Sequence, residues 1–277
     1  MKVIVVGGGA AGMMAAFWAA KEGDDVILLE QNEKLGKKLF ITGKGRCNVT
    51  NACGIEELLD HVVTNKEFLY SGFYSFSNEM VIELLEKLGC PMKIERGNRV
   101  FPLSDHSSDV IRALEQGLRQ NGVEIRLNTK VKNILKDNGC AAGVRLAGGD
   151  TVKADKVIVA TGGMSYPSTG STGDGYRFAR ENGHHITELV PALVPLLTAG
   201  DICSRLQGLS LRNIKAVLTA DGKKVYDEFG EMLFTHFGVS GPVILSASSH
   251  LKQYRGKNWS STLTGNRRFL MSSWIIE

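Results

Sequence analysis

The chain has 277 residues, 43% apolar and 22% charged, an ordinary globular composition with enough length for one large or two modest domains. Its 33 basic and 29 acidic residues leave a formal charge of +4, spread without the dense Lys/Arg run of a polyanion-binding tail, so nucleic acid is not an expected partner. Five cysteines without a C-x-x-C pair and six histidines without H-x-x-x-H spacing argue against a disulfide framework, a redox dithiol and a metal centre, and fit a reducing cytoplasm.

Residues 3–20 carry no charge, but Gly7, Gly8 and Gly9 in series each cost about 1 kcal/mol against Ala and interrupt a membrane helix. Nor does the run stop at a secretory cleavage site. It is predicted instead as a β-branched strand over 3–6, buried on both faces, followed by Gly7-x-Gly9-x-x-Gly12 and an Ala-rich helix. In that pattern Gly7 permits a tight turn, Gly9 lets backbone approach a pyrophosphate, and Gly12 lets the helix lie close to the strand. The helix N-terminus, with Ala10 and Ala11, then faces the anion.

Past Gly23, "DVILLE" is predicted as a second buried strand closing on Glu30, eighteen residues after Gly12. A carboxylate there accepts hydrogen bonds from ribose hydroxyls and repels a 2′-phosphate, which favours FAD or NAD over NADP. Residues 36–51 are too basic and Gly-rich for a core element and read as a flexible loop. Its Lys37, Lys38, Lys44 and Arg46 suit a pyrophosphate or a reduced flavin. Read without that ligand, the same stretch is a solvated basic loop. Cys47 has two readings: a thiol with a lowered pKa beside Arg46, or a small buried side chain.

About ninety residues separate Glu30 from the next parallel strand, "VEIRLN" at 123–128, so an insertion, about 50–120, lies between them. Within it "NEMVIELLEKLG" and "SSDVIRALEQGLRQNG" have helical spacing, the latter with Ser107 or Ser108 as its cap. A meander, about 129–155 and including Val131, returns to a parallel strand at 157–160 that delivers Thr161, Gly162 and Gly163. This order favours FAD over an NAD-only domain. The loop 166–175, rich in Gly and hydroxyls, is placed to approach a ligand, and His184 and His185 follow a helix end. From Pro191 short strands with a D-G-K-K turn announce a second, β-type domain. His236 in "THFGVSGP" is either a structural histidine or a proton donor to an activated alkene or imine.

Four stretches, "VVGGGAAGMMAA", "GKKLFITGKGRCNVTN", "VIVATGGMSYPSTGSTGDGYRFARENGH" and "GEMLFTHFGVSGPVILSAS", resemble the NAD(P)/FAD-dependent oxidoreductases of the aminoacetone-oxidase, BaiN-type family. The resemblance implies an α/β, Rossmann-like FAD-binding domain over 1–190, of the two-dinucleotide-binding flavoprotein type, and a partial β-rich second domain over 191–277. It also implies FAD as cofactor, NAD(P)H as a transient electron donor and a small-molecule substrate. Lys37, Lys38, Gly45, Arg46, Cys47 and Asn48, with Val131, Thr161, Gly162 and Gly163, are carried over as cofactor-binding, and Asn51 as a flavin-edge amide.

In the family a helical part follows and the chain returns to the FAD domain; neither is visible here. Back-translated and read from the third base of the Trp259 codon, "NWSSTLTGNRRFLMSSWIIE" gives "ELHIDWKPAIPDELLDNR", which resembles the family's next segment. The tail, about 258–277, is therefore expected to be frame-shifted. The alternative to an active oxidoreductase is then an inactive remnant that holds FAD or ADP.

Overall fold

Two uninterrupted apolar runs, KVIVV and DVILL, form the adjacent parallel strands β1 (Lys2–Val6) and β2 (Asp25–Leu29), because each can bury both of its faces. The computed structural model describes residues 1–251 and, beyond them, the backbone of 259–264 and 268–275. It divides into two compact units, Met1–Ile186 and Thr187–Glu277.

In the first unit β1 leads into α1 (Ala10–Lys21), and α2 (Lys37–Ile41) follows β2. The insertion holds β3 (Thr50–Asn51), α3 (Ile55–Asp60), α4 (Lys66–Ser75), α5 (Asn78–Lys87), β4 (Met92–Glu95), β5 (Arg99–Pro102) and α6 (Ser107–Gln120). After it come β6 (Glu124–Arg126), the antiparallel meander β7 (Val131–Asp137), β8 (Cys140–Leu146) and β9 (Thr151–Lys153), then β10 (Lys156–Val159) and α7 (Asp174–Glu181).

The parallel sheet has the order β10-β1-β2-β6, with Val5 beside Leu28 on one side and Ile158 on the other. Strand alternation sends Val3, Val5, Val26 and Leu28 toward Met13 and Phe17 of α1 and Leu114 and Leu118 of α6. It sends Ile4, Val6, Ile27 and Leu29 toward Val144 of the meander and Phe178 of α7. Helices, parallel sheet and meander thus form three layers. Ile4, Ile27 and Leu28 are at most 1% exposed, and burial of each contributes about 1.5–3 kcal/mol.

Two local expectations are corrected. Part of the predicted flexible loop is helical: α2 starts straight after Gly36, whose φ of 68° turns the chain, and its KKLFI sequence is made mostly of good helix formers. And α6 is not capped by a serine. His106 is its cap residue, while the Ser107 hydroxyl lies inside the first turn and donates to Phe40 O at 2.7 Å, tying α6 to α2.

The second unit contains β11 (Leu196–Thr198), α8 (Ile202–Arg205), β12 (Ser210–Ala220), β13 (Lys223–Phe234), β14 (Gly238–Ser240), α9 (Pro242–Ser249), β15 (Trp259–Thr264) and β16 (Arg268–Ile275). They close as a barrel in the order β11-β14-β13-β12-β15-β16. Ile214, Ala216, Leu218 and Ala220 alternate inward along β12 and meet Val243, Ile244 and Ala247 of α9. Asp221 and Gly222, both at positive φ, make the hairpin turn that D-G-K-K announces. Of the tail expected to be frame-shifted, residues 258, 265–267 and 276–277 lie outside the described residues; its remainder pairs as β15 with β12 and as β16 with β11. No helix among the described residues is long and apolar enough to cross a membrane.

The crossing of α1 over β1 is the tightest contact in this frame. A Cβ on Gly12 would stand 1.7 Å from Gly7 O, whereas one on Gly9 meets nothing within 4 Å. Gly12→Ala is therefore expected to lose about 2–3 kcal/mol in urea unfolding and Gly9→Ala to stay within about 0.5 kcal/mol of the parent. Equal midpoints for the two variants would remove the close crossing.

Candidate functional site

The carboxyl ends of β1, β2 and β10 open into one cavity of about 540 Å³, the position where open α/β sheets take ligands. Its wall brings together ten of the predicted residues: Gly7, Gly9, Ala10, Ala11, Glu30, Lys37, Lys38, Val131, Thr161 and Gly162. Gly7 has φ 106° and its amide donates to Leu29 O at 2.8 Å, which turns the chain sharply off β1. Gly12 stands behind, where the helix touches that turn. Gly9 precedes α1 without a side-chain cap, so the first-turn amides of the helix have no side-chain partner on the helix and flank the cavity.

Glu30 ends β2 and is only 7% exposed. Its Oε2 accepts from Gly8 N at 2.6 Å, and its Oε1 accepts from Asn32 N at 2.8 Å and Asn32 Nδ2 at 2.6 Å. A carboxylate has about four acceptor positions, so about one is left for a sugar hydroxyl. In the same lining Lys38 Nζ donates to Ser171 Oγ at 2.7 Å and Ser165 Oγ at 3.3 Å and pairs with no carboxylate among the described residues. Burial lowers its pKa. Lys37 instead spans Glu33 and Asn32, both at 3.4 Å. The Thr161 hydroxyl is buried without a hydrogen-bond partner.

The expected site residues Gly45, Arg46, Cys47, Asn48 and Gly163 stand away from this cavity. Arg46 is not a free cation: its guanidinium reaches Glu95 and Asp105, each at 2.5 Å, and lies 4.2 Å from the Phe101 ring centre. It fastens the turn around Gly43, Lys44 and Gly45, all at positive φ, to the β4–β5 hairpin. Burial pushes the Cys47 thiol up to about 11, which overturns the reading of a lowered pKa and leaves the small buried side chain. With its amide oriented so that both ends are satisfied, Asn48 donates to Val100 O at 3.2 Å and Thr50 O at 3.1 Å, and Asn51 holds Gly97 O and Cys53 N. Gly163 O accepts from Gly173 N and closes the following loop.

Cys47 and Asn48 do line a second cavity of about 650 Å³, bounded by Met14 and Trp18 of α1 and Leu84 of α5, with no charged side chain in its wall. Ala10 and Leu39 belong to the walls of both cavities. His236, in the second unit, sits at the exposed tip of the turn between β13 and β14, edge-on to Phe237 at 4.9 Å. Sequence reasoning missed Gln31 and Asn32, which follow the strand-ending acid and line the first cavity. Their position beside Glu30 was the available signal.

A glycine turn, an uncapped helix and a strand-ending acid around one cavity, on a parallel sheet with an antiparallel meander behind it, define a Rossmann-like flavoprotein of the FAD-binding class. The chain matches the HI0933-like protein Rossmann domain over residues 1–256 and belongs to that family. It is 35% identical over 243 residues to the 3-dehydro-bile acid delta(4,6)-reductase of Clostridium scindens, covering 85% of this chain and 57% of that protein. It is 32% identical over 248 residues to the ribosomal RNA dihydrouridine synthase of Escherichia coli, covering 89% of this chain and 60% of that one. The chain thus spans about three-fifths of the length of these curated relatives. The 3-ketosteroid-delta4-(5alpha)-dehydrogenase of Rhodococcus jostii, solved with 4-androstene-3,17-dione, shares the fold with a TM-score of 0.54 at 15% identity, covering 94% of this chain and 65% of its own.

The Arg46 cluster predicts a pH dependence. The Glu95 carboxyl is held below its usual range by Arg46, and that of Asp105 by Lys93 and Arg46. Stabilisation from lowered carboxylates is complete above the unfolded values and fades as pH falls through the folded ones. Arg46→Gln should thus lower the urea midpoint at pH 7, with the gap to the parent closing below about pH 4. A gap independent of pH is the contrary result.

Proposed function

We propose that the chain is the FAD-holding part of a flavin-dependent reductase that adds hydrogen across a carbon–carbon double bond conjugated to a carbonyl. The observation that carries this reading is the pairing, around one cavity, of Glu30 with the uncapped first turn of α1. The α1 amides and Lys38 would hold the pyrophosphate, Glu30 a ribose hydroxyl, and the turn at Thr161 and Gly162 the second passage along the cofactor. The uncharged second cavity, with Cys47 and Asn48 in its wall, would take the flat, largely apolar ring end. Bound FAD supplies the two-electron hydride chemistry that these side chains lack. NAD(P)H is the proposed donor, and His236 the proposed proton donor to the substrate carbon.

The reaction class is supported by the two curated relatives. The names of both describe saturation of a ring double bond conjugated to a carbonyl, in a 3-oxo steroid in one case and in a uracil base in the other. A small-molecule acceptor is preferred because the +4 charge is spread along the chain. An RNA acceptor is the second reading, favoured by the 32% identity to the dihydrouridine synthase. The reducing cytoplasm is the proposed compartment, supported by five cysteines that form no disulfide.

Purified protein should bind FAD and turn yellow, and Glu30→Ala should weaken binding about 10- to 100-fold, the worth of one hydrogen bond to a charged group. Flavin fluorescence titration measures both. Anaerobic bleaching by NADH or NADPH, then reoxidation by a steroid enone or by a uridine-containing transcript, separates the two acceptors; His236→Gln should slow reoxidation and leave FAD affinity unchanged. A colourless protein that takes up no FAD on reconstitution ends this reading.

A further inference from the structure

The loop after Gly163 reaches across to the end of β2 and is tied there by two side chains, Gln31 and Asn32, that have no part in the reading above. Gln31 Nε2 donates to Gly170 O at 2.8 Å. Asn32 Nδ2 donates to Thr169 O at 3.2 Å and, at the same time, to Glu30 Oε1 at 2.6 Å. Lys38 adds its bonds to Ser165 and Ser171 from the next turn of chain.

Three features distinguish a closure from a fixed wall. The two amide ties join positions 137 and 139 residues apart, and each is a single neutral bond of the kind that makes and breaks readily. Tyr166 holds positive φ, a conformation that the surroundings must maintain in a residue with a side chain, and Gly170 and Gly173 supply turns at positive φ on either side of Ser171. Met164 and Tyr166 are 60% and 65% exposed, so at this end the loop lacks the apolar anchoring of a core segment. The ties also stand at the acid itself. Asn32 Nδ2 divides its donation between Glu30 Oε1 and Thr169 O, so the group that holds the loop also holds the acid.

We propose that Gln31 and Asn32 latch residues 165–171 as a gate over the ribose end of the cavity, which parts to admit a dinucleotide and closes behind it. The proposal rests on the FAD reading. A gate changes entry and exit together; a wall residue changes exit alone.

Rapid mixing with FAD, followed by flavin fluorescence, is the test. The double variant Gln31→Ala, Asn32→Ala should speed association and dissociation roughly tenfold each, with the Kd moving less than about threefold. Gly170→Ala reaches the latch from the other side. Its new Cβ would lie 2.7 Å from Asn32 Nδ2 and 3.0 Å from Gln31 Nε2, wedging the pair apart, and should give the same signature. Faster dissociation alone, or unchanged rates in both variants, overturns the gate. Should the parent protein bind no FAD, the cofactor reading fails by itself, and the latch is read from hydrogen exchange of the Thr169 and Gly170 amides in ligand-free protein. Exchange faster in both variants supports it, and exchange equal to the parent's overturns it.

Discussion

The contact between Gly12 and the carbonyl of Gly7 fixes nearly everything else in the first unit. It sets the first turn of α1 directly against the end of β1, so that turn, whose amides have no side-chain cap, flanks the cavity. The same turn leaves Gly8 N free to reach Glu30, which joins the ends of β1 and β2 through a buried hydrogen bond. A binding surface for an anion and a sugar is thus made mostly of backbone, and its geometry follows from how closely two elements can approach.

Because backbone supplies most of the polarity, little fixed charge is needed, and the basic motif after Gly36 divides its labour. Lys38, on α2, is partly buried with only hydroxyl partners, the arrangement that leaves a cation available to a phosphate. Arg46, eight residues on, is neutralised by two carboxylates and stacked on Phe101, the arrangement that holds a strained turn in place. Equal charge in the sequence has opposite consequences in the fold.

That division marks where the sequence stops being legible. The strands, α1, α5, α6, the meander and the return strand β10 are local signals, written in apolar period and glycine spacing, and Glu30 lies at a fixed offset from the glycine turn. The partners of Arg46 lie 49 and 59 residues away, in β4 and in the turn after β5, with no local signature, so its charge reads as available when it is not. The lowered-pKa reading of Cys47 fails for the same reason: its high thiol pKa comes from burial, which the neighbouring Arg46 does not reveal. Gln31 and Asn32 were adjacent to a recognised acid, yet their partners are the carbonyls of Gly170 and Thr169, and backbone acceptors leave no trace in composition.

The two cavities carry the functional reading one step further. Ala10 and Leu39 stand in both walls, so a cavity flanked by helix amides and charged side chains adjoins one whose wall carries no charge. The relatives reduce chemically different acceptors while matching this chain across at least 85% of its length. On the proposed reading, the residues around these cavities therefore set the cofactor and the reaction class. Acceptor choice then falls to side chains that do not touch the cofactor, because a residue that binds both partners of a hydride transfer could not vary with one of them alone.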